Sequence, residues 1–252
     1  MKHYVIVPFY PYAKIPLKTE VLFSDECPIL SVALQHLQSY LLPSLINSTT
    51  HDFTVLLGVK EDLEKVRPEL HSSLVSLSKT MPFKMEVLDW FSYYRYVTEQ
   101  GDRNVIATRI DHDDCFGRDS LELIQDRASF RLSFEFFAFM KGAIYWEKSK
   151  RVHEYVSPTW RDGVSSFSAS PTMYCDWNIV HALPVHGHAC LTSITNPLGI
   201  DLVPGENHFL DYEHPLSWLY VRHNQNRSRE SWYKYGERLK YLRLGRQFGI
   251  AR

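Results

Sequence analysis

Asn104-Val105-Ile106-Ala107-Thr108-Arg109-Ile110, running straight into Asp111-His112-Asp113-Asp114, decides how this chain is read. A mostly apolar, β-branched run predicts a buried strand. Three carboxylates then follow within four residues. In open α/β sheets, ligands bind beyond the carboxyl ends of the strands, which is where this cluster falls. Carboxylates so close repel one another, and a hard divalent cation relieves that repulsion. Mg2+ or Mn2+ takes oxygen ligands, commonly one or two protein carboxylates, with diphosphate oxygens and waters filling the shell. Such an ion neutralises charge on a leaving diphosphate. The plain alternative is a solvated acidic loop, or Asp113 or Asp114 as the cap of the next helix. Whether Asp111 and Asp113 converge on one point depends on a turn after Asp111.

Upstream, strands and helices alternate. His3 to Phe9 predicts a strand ended by Pro8 and Pro11. Pro28 to Asn47 predicts a helix through Leu30, Leu34, Leu37, Leu41 and Leu45, kinked or restarted at Pro43. Strands are expected at Phe53 to Val59 and Phe83 to Trp90, with a helix from Asp62 to Ser78 between them. This alternation predicts a mostly parallel sheet. Downstream the pattern changes. Arg118 to Ser129 reads as helix, and Arg131 to Met140 and Ala143 to Val156 as strands, the latter folded at Glu147-Lys148-Ser149-Lys150. The second half is therefore mixed and antiparallel in part, and no linker or repeat marks a second independent domain.

The 252 residues and 44% hydrophobic share suffice for one α/β core. A net charge of -1 leaves no field favouring nucleic acid. The short apolar start reads as a strand, not a signal peptide, and no run is long enough to cross a bilayer. Cys27, Cys115, Cys175 and Cys190 have no metal or redox spacing and read as free thiols of a reducing compartment, so a cytoplasmic protein is expected. His181, His186 and His188 lack zinc-site spacing, and no glycine-rich phosphate loop or nucleophile elbow is present.

Three segments together resemble the putative rhamnosyltransferases of bacteria and viruses. They are Thr108 to Asp114, Tyr40-Leu41-Leu42-Pro43-Ser44-Leu45 with His51 to Leu57, and Pro215 to Asn226. They lie in that family's order and span residues 40 to 226. Val7-Pro8-Phe9 departs from the family's usual Thr-Arg-Phe start. The resemblance implies a GT-A-like, Rossmann-related mixed α/β sheet flanked by helices, covering residues 1 to 226 as a single domain. It also implies a metal-dependent, inverting transfer of a sugar such as rhamnose from a nucleotide-diphosphate donor to a hydroxyl acceptor. Mn2+ or Mg2+ would be held by Asp113, Asp114 and His223. Asp111, Arg109 and Gly142 would lie against the nucleotide sugar, with glycine letting sugar approach the backbone. A catalytically inactive carbohydrate- or nucleotide-binding module of the same fold is the other reading, and a magnesium phosphohydrolase a third.

His223 follows the apolar run Trp218 to Val221 and is expected at a strand end, either as a ligand or as a structural histidine. An inverting transfer needs a base for the acceptor hydroxyl. Candidates are Glu213 and Asp211, then Asp176 and Asp162; each also reads as a surface carboxylate. Arg222, Arg227 and Arg229 surround His223 and could grip diphosphate. Residues 227 to 252 read as a basic helical segment with Trp232, Tyr235, Leu239 and Leu242 on one stripe. That stripe either packs on the domain or rests on the inner face of an anionic membrane, as suits a lipid-linked acceptor. A glycan or small-molecule acceptor is equally compatible.

Overall fold

The computed structural model describes residues 2–9, 28–59, 61–89, 92–102, 104–128, 134–139, 141–156, 172–176, 207–209, 216–223, 238–239 and 244–250. The strands are β1 (Lys2–Pro8), β2 (Thr54–Val59), β3 (Lys84–Asp89), β4 (Asn104–Arg109), β5 (Cys115–Phe116), β6 (Phe134–Ala138), β7 (Lys141–Trp146), β8 (Arg151–Val156), β9 (Thr172–Asp176), β10 (Asn207–Phe209) and β11 (Trp218–Arg222). They form a seven-stranded sheet, ordered β10-β6-β9-β4-β1-β2-β3, and a four-stranded sheet, ordered β5-β11-β7-β8.

The large sheet is parallel except for β9, which runs against both β4 and β6. β1 lies at its centre and is buried from His3 to Pro8. A parallel strand covered on both faces reads as a continuous apolar run, as β1 does here. β1 pairs with β2 on one side and β4 on the other, so the strand order reverses between β1 and β4. That reversal opens a crevice at the carboxyl ends of both strands. The protein is thus a mixed α/β fold with a largely parallel central sheet flanked by helices.

One helical run covers the sheet in three pieces: α1 (Pro28–His36), a π-helical segment (Leu37–Leu41) and α2 (Leu42–Ile46). Leu37, Leu41 and Leu45 enter the main core with Val5, Val7, Val55, Leu57 and Ile106. The wide turns of the π segment come just before Pro43, whose missing N–H could not continue an α-helical ladder. α3 (Leu63–Val66) and α4 (Pro68–Ser78) replace the single helix expected from Asp62 to Ser78. Arg67 leaves helical geometry (φ −136, ψ 67) because the ring of Pro68 disfavours it in the residue before. α5 (Tyr93–Glu99) was not anticipated; its aromatic and β-branched residues leave no leucine stripe to read. α6 (Ser120–Arg127) falls within the helix expected from Arg118 to Ser129.

β7 and β8 form the hairpin expected around Glu147 to Lys150. β11 inserts between β5 and β7. Its residues alternate between two cores. Trp218 and Tyr220 join the main one, while Leu219 and Val221 join a second with Cys115, Ala143, Tyr145 and Phe248. Gly142 on β7 makes room for this. A Cβ there would meet the indole of Trp218 at 2.2 Å. The glycine therefore serves the close passage of two strands.

The C-terminal segment is not one helix. Arg238 bridges His153 in antiparallel fashion, and the Leu239 N–H donates to the Val152 carbonyl. Backbone pairing with β8 thus overrides the helical stripe at Leu239. α7 (Leu244–Phe248) then puts Leu244 and Phe248 into the second core and leaves Arg246 exposed. Among the described residues, no helix is long and apolar enough to cross a membrane.

Candidate functional site

β4 delivers the acidic cluster to the crevice. After Arg109 the chain turns, and the Asp114 N–H donates to the Asp111 carbonyl at 3.2 Å. This turn gathers all three side chains, Asp114 included, which an extended segment would send to the face opposite Asp111 and Asp113. One carboxylate oxygen from each of Asp111, Asp113 and Asp114 then lies within 4.8 Å of the others.

β5 pairs with β11 immediately after the turn, Cys115 opposite Leu219 and Phe116 opposite Trp218. An antiparallel register carries the two chains on past each other, so the residues before Cys115 approach those after Leu219. The Val221 N–H donates to Asp114 Oδ1 at 3.1 Å. His223, the first residue beyond β11, meets Asp113, with Nε2 2.7 Å from Oδ2. The expected histidine and the expected carboxylate, 110 positions apart, are thus brought together.

Each carboxylate has a different setting. Asp111 accepts from the buried guanidinium of Arg109, Nη2 to Oδ1 at 2.6 Å. Nε and Nη1 of Arg109 are buried with no hydrogen-bond acceptor. Donors left over in a buried site suit an acceptor-rich ligand, because burying them unmatched is costly. Burial raises the Asp113 pKa, but the positive field of His112 and the hydrogen bond from His223 outweigh it and hold the carboxyl below its usual range. Asp114 is fully buried, and burial together with the charges of Asp113 and Asp111 pushes its pKa well above the usual range. A site that raises one carboxyl and lowers its neighbour holds more negative charge than it can settle, which is the electrostatic condition a divalent cation relieves. The three carboxylates form an oxygen donor set of the kind that holds a hard divalent cation.

Several site residues had no signal in the sequence reading. His112 Nδ1 donates to the Pro8 carbonyl at 3.3 Å, and its ring meets Phe9 edge-on, tying the turn to the end of β1. The His36 ring lies on His223, centroids 4.1 Å apart. Its Nε2 is 3.7 Å from Glu147, which accepts the Tyr40 hydroxyl at 2.6 Å. Burial, then the neighbouring His223, lowers the His36 pKa to about 4. His36 and Tyr40 lie off the leucine stripe that marked the helix, and Glu147 read only as a hairpin turn residue.

Other expected residues fare differently. Asp176 pairs with Asn104, at the amino end of β4. The strand rise puts it about 16 Å from the carboxyl end, where the acidic turn begins. The antiparallel course of β9 thus places the backbone of Thr172, not that of Asp176, nearest the acidic turn. The Arg222 guanidinium stacks over Trp146, 5.5 Å from the ring centroid, and near Tyr220. Asp162, Asp211, Glu213, Arg227, Arg229, His181, His186, His188, Trp232, Tyr235 and Leu242 lie outside the described residues.

No family model and no curated protein matches the chain. Two of the solved structures similar to it illustrate the likeness. One is a crystal structure assigned as a glucose-1-phosphate thymidylyltransferase from Bacillus anthracis, in complex with a sucrose. It is 13% identical, with a TM-score of 0.34 over 86% of this chain and 89% of that one. The other is S. aureus TarS, 11% identical, with a TM-score of 0.43 over 88% of this chain. The chain spans 37% of the TarS length.

Proposed function

We propose that the protein is a metal-dependent glycosyltransferase that uses a nucleotide-diphosphate sugar. The observation that carries this is the meeting of three crowded carboxylates with His223 at the sheet's topological switch point. Asp113, Asp114 and His223 would hold Mn2+ or Mg2+, with Asp111 beside them. Bound there, the ion would neutralise charge on the leaving diphosphate. The chain's own groups have definable tasks. Asp113 orients His223. Asp114 fixes the turn to β11 through Val221. Arg109 holds Asp111 and keeps two buried donors for oxygen atoms of the nucleotide. Arg222 is a candidate for the diphosphate, and Glu213 or Asp211 for the base that takes the acceptor proton. Rhamnose is the donor sugar to test first, on the sequence resemblance, and inversion the outcome to look for. A cytoplasmic setting and a hydroxyl acceptor that is glycan, lipid-linked or small belong to the same proposal.

The test is release of nucleoside diphosphate from a panel of nucleotide sugars with Mn2+, comparing the unmodified protein with Asp113→Ala. Turnover lost at least about 100-fold in the variant supports the reading; oriented electrostatic groups carry effects of that size. Full activity in Asp113→Ala would remove the proposed metal role. Tight nucleotide binding without turnover across the panel would favour the binding-module reading instead.

A further inference from the structure

We propose that His36 is a positioning residue: its ring, braced by Glu147 and Tyr40, fixes the plane of His223 and so aims Nε2 at Asp113. This rests on the functional reading above for its consequence, but on separate geometry for its substance. His223 lies one residue beyond the last residue of β11. A side chain at a strand end keeps one rotamer only if its surroundings impose it. His36 supplies that surface, with ring centroids 4.1 Å apart and an interplanar angle of 48°.

The brace comes from two other elements. Tyr40, one helical turn after His36, donates its hydroxyl to Glu147 at 2.6 Å, and its ring packs edge-on against Tyr145 of β7. Glu147 also lies 3.7 Å from His36 Nε2. The Glu147 N–H donates to the Arg222 carbonyl at 3.0 Å, so the hairpin is tied to the residue preceding His223. His36 and Tyr40 bracket the start of the π-helical segment, and π turns inside helices recur at functional sites because they re-aim side chains. His36 is 4% exposed and its Nδ1 has no hydrogen-bond partner, an arrangement that a leucine would fill at lower cost. Groups that orient a metal ligand from behind affect metal affinity about 10- to 100-fold.

Two readouts test this. The first is affinity for Mn2+ alone, measured by EPR titration. The second is the ring 1H–15N spectrum of His223 in the metal-free protein. His36→Leu should bind Mn2+ about tenfold more weakly and shift the His223 ring signals. His36→Phe, which keeps a flat ring against His223, should recover most of both. Tyr40→Phe, which removes only one hydroxyl, should move both in the direction of His36→Leu by a smaller amount. A core-filling role predicts that leucine and phenylalanine behave alike, with His223 signals unmoved in all three, and that result overturns the proposal. If the unmodified protein does not bind Mn2+, the metal reading fails by itself, and the metal-free His223 spectrum still decides the role of His36. If His36→Leu does not fold, Tyr40→Phe carries the test, and unshifted His223 signals there overturn the proposal.

Discussion

Gly142→Ala should destabilise the whole protein and loosen the acidic site with it. An ideal Cβ at position 142 falls 2.2 Å from Trp218 Cδ2, 2.3 Å from Cε2 and 2.6 Å from Cε3. Carbon atoms in contact prefer about 3.5–4.0 Å, so the methyl overlaps the indole by about 1.3 Å. β7 cannot retreat easily, being paired along its length with β8 and on its other side with β11. Trp218 cannot swing away freely either. It is fully buried, and its Nε1 donates to the Phe139 carbonyl at 3.0 Å. Overpacking of this kind costs about 1–3 kcal/mol, and the lost hydrogen bond about 1 kcal/mol more. For a chain of this size, about 2–4 kcal/mol lowers Tm by roughly 5–10 °C. Thermal unfolding followed by circular dichroism measures it. Combining Gly142→Ala with Trp218→Leu should recover part of the loss, because the larger side chain is the partner in the clash. A Tm unchanged within about 1 °C would refute the packing role given to the glycine.

Two further outcomes follow from buried polar groups, and a third from a helix break. His3 is held at a pKa of about 3 by burial, so the folded state keeps it neutral where the unfolded chain protonates it. Its contribution to stability is full above pH 6.5 and falls by about 1.4 kcal/mol per pH unit as pH drops toward 3. Urea unfolding at pH 6.5 and 5 should show that slope, and His3→Gln should lack it. Asp114 behaves oppositely in the metal-free protein: its raised pKa favours the protonated form, so its contribution is present at low pH and lost as pH rises above the usual carboxylate range. Asp114→Asn keeps an acceptor for the Val221 N–H and removes the charge, so it should raise the metal-free Tm at pH 7 while reducing any Mn2+-induced gain. Pro68→Ala should let α3 and α4 join, raising the helical signal in far-ultraviolet circular dichroism, since the proline ring is what keeps Arg67 out of helical geometry.

The features legible in the sequence are those set by local chemistry. β1, β2 and β4 announce themselves because strands covered on both faces must be apolar throughout. The carboxylates after β4 were legible because a charged run directly after a buried strand falls beyond the carboxyl end of the sheet. His223 could be placed at a strand end by the apolar run before it. What stayed hidden depends on pairing between distant segments. The place of Asp176 is set by the register of β9, which puts its backbone at the amino end of β4. Gly142 resembled a ligand-facing glycine, and its close approach to the indole from position 218 had no local signal. His36, Tyr40 and Glu147 form one cluster only because a helix, a hairpin and the end of β11 converge there. The break at Arg67 was readable from Pro68, and the leucine periodicity on either side concealed it.

The central claim is most directly tested by melting the protein with a series of nucleoside diphosphates, each with and without Mn2+. A ligand at 100 times its dissociation constant stabilises the folded state by about 2.7 kcal/mol, which for this chain raises Tm by roughly 5–10 °C. We expect one diphosphate to give such a shift only with Mn2+ present, and Asp113→Ala to lose it. Equal melting curves with and without the ion, or an undiminished shift in Asp113→Ala, would contradict a cation held by this turn.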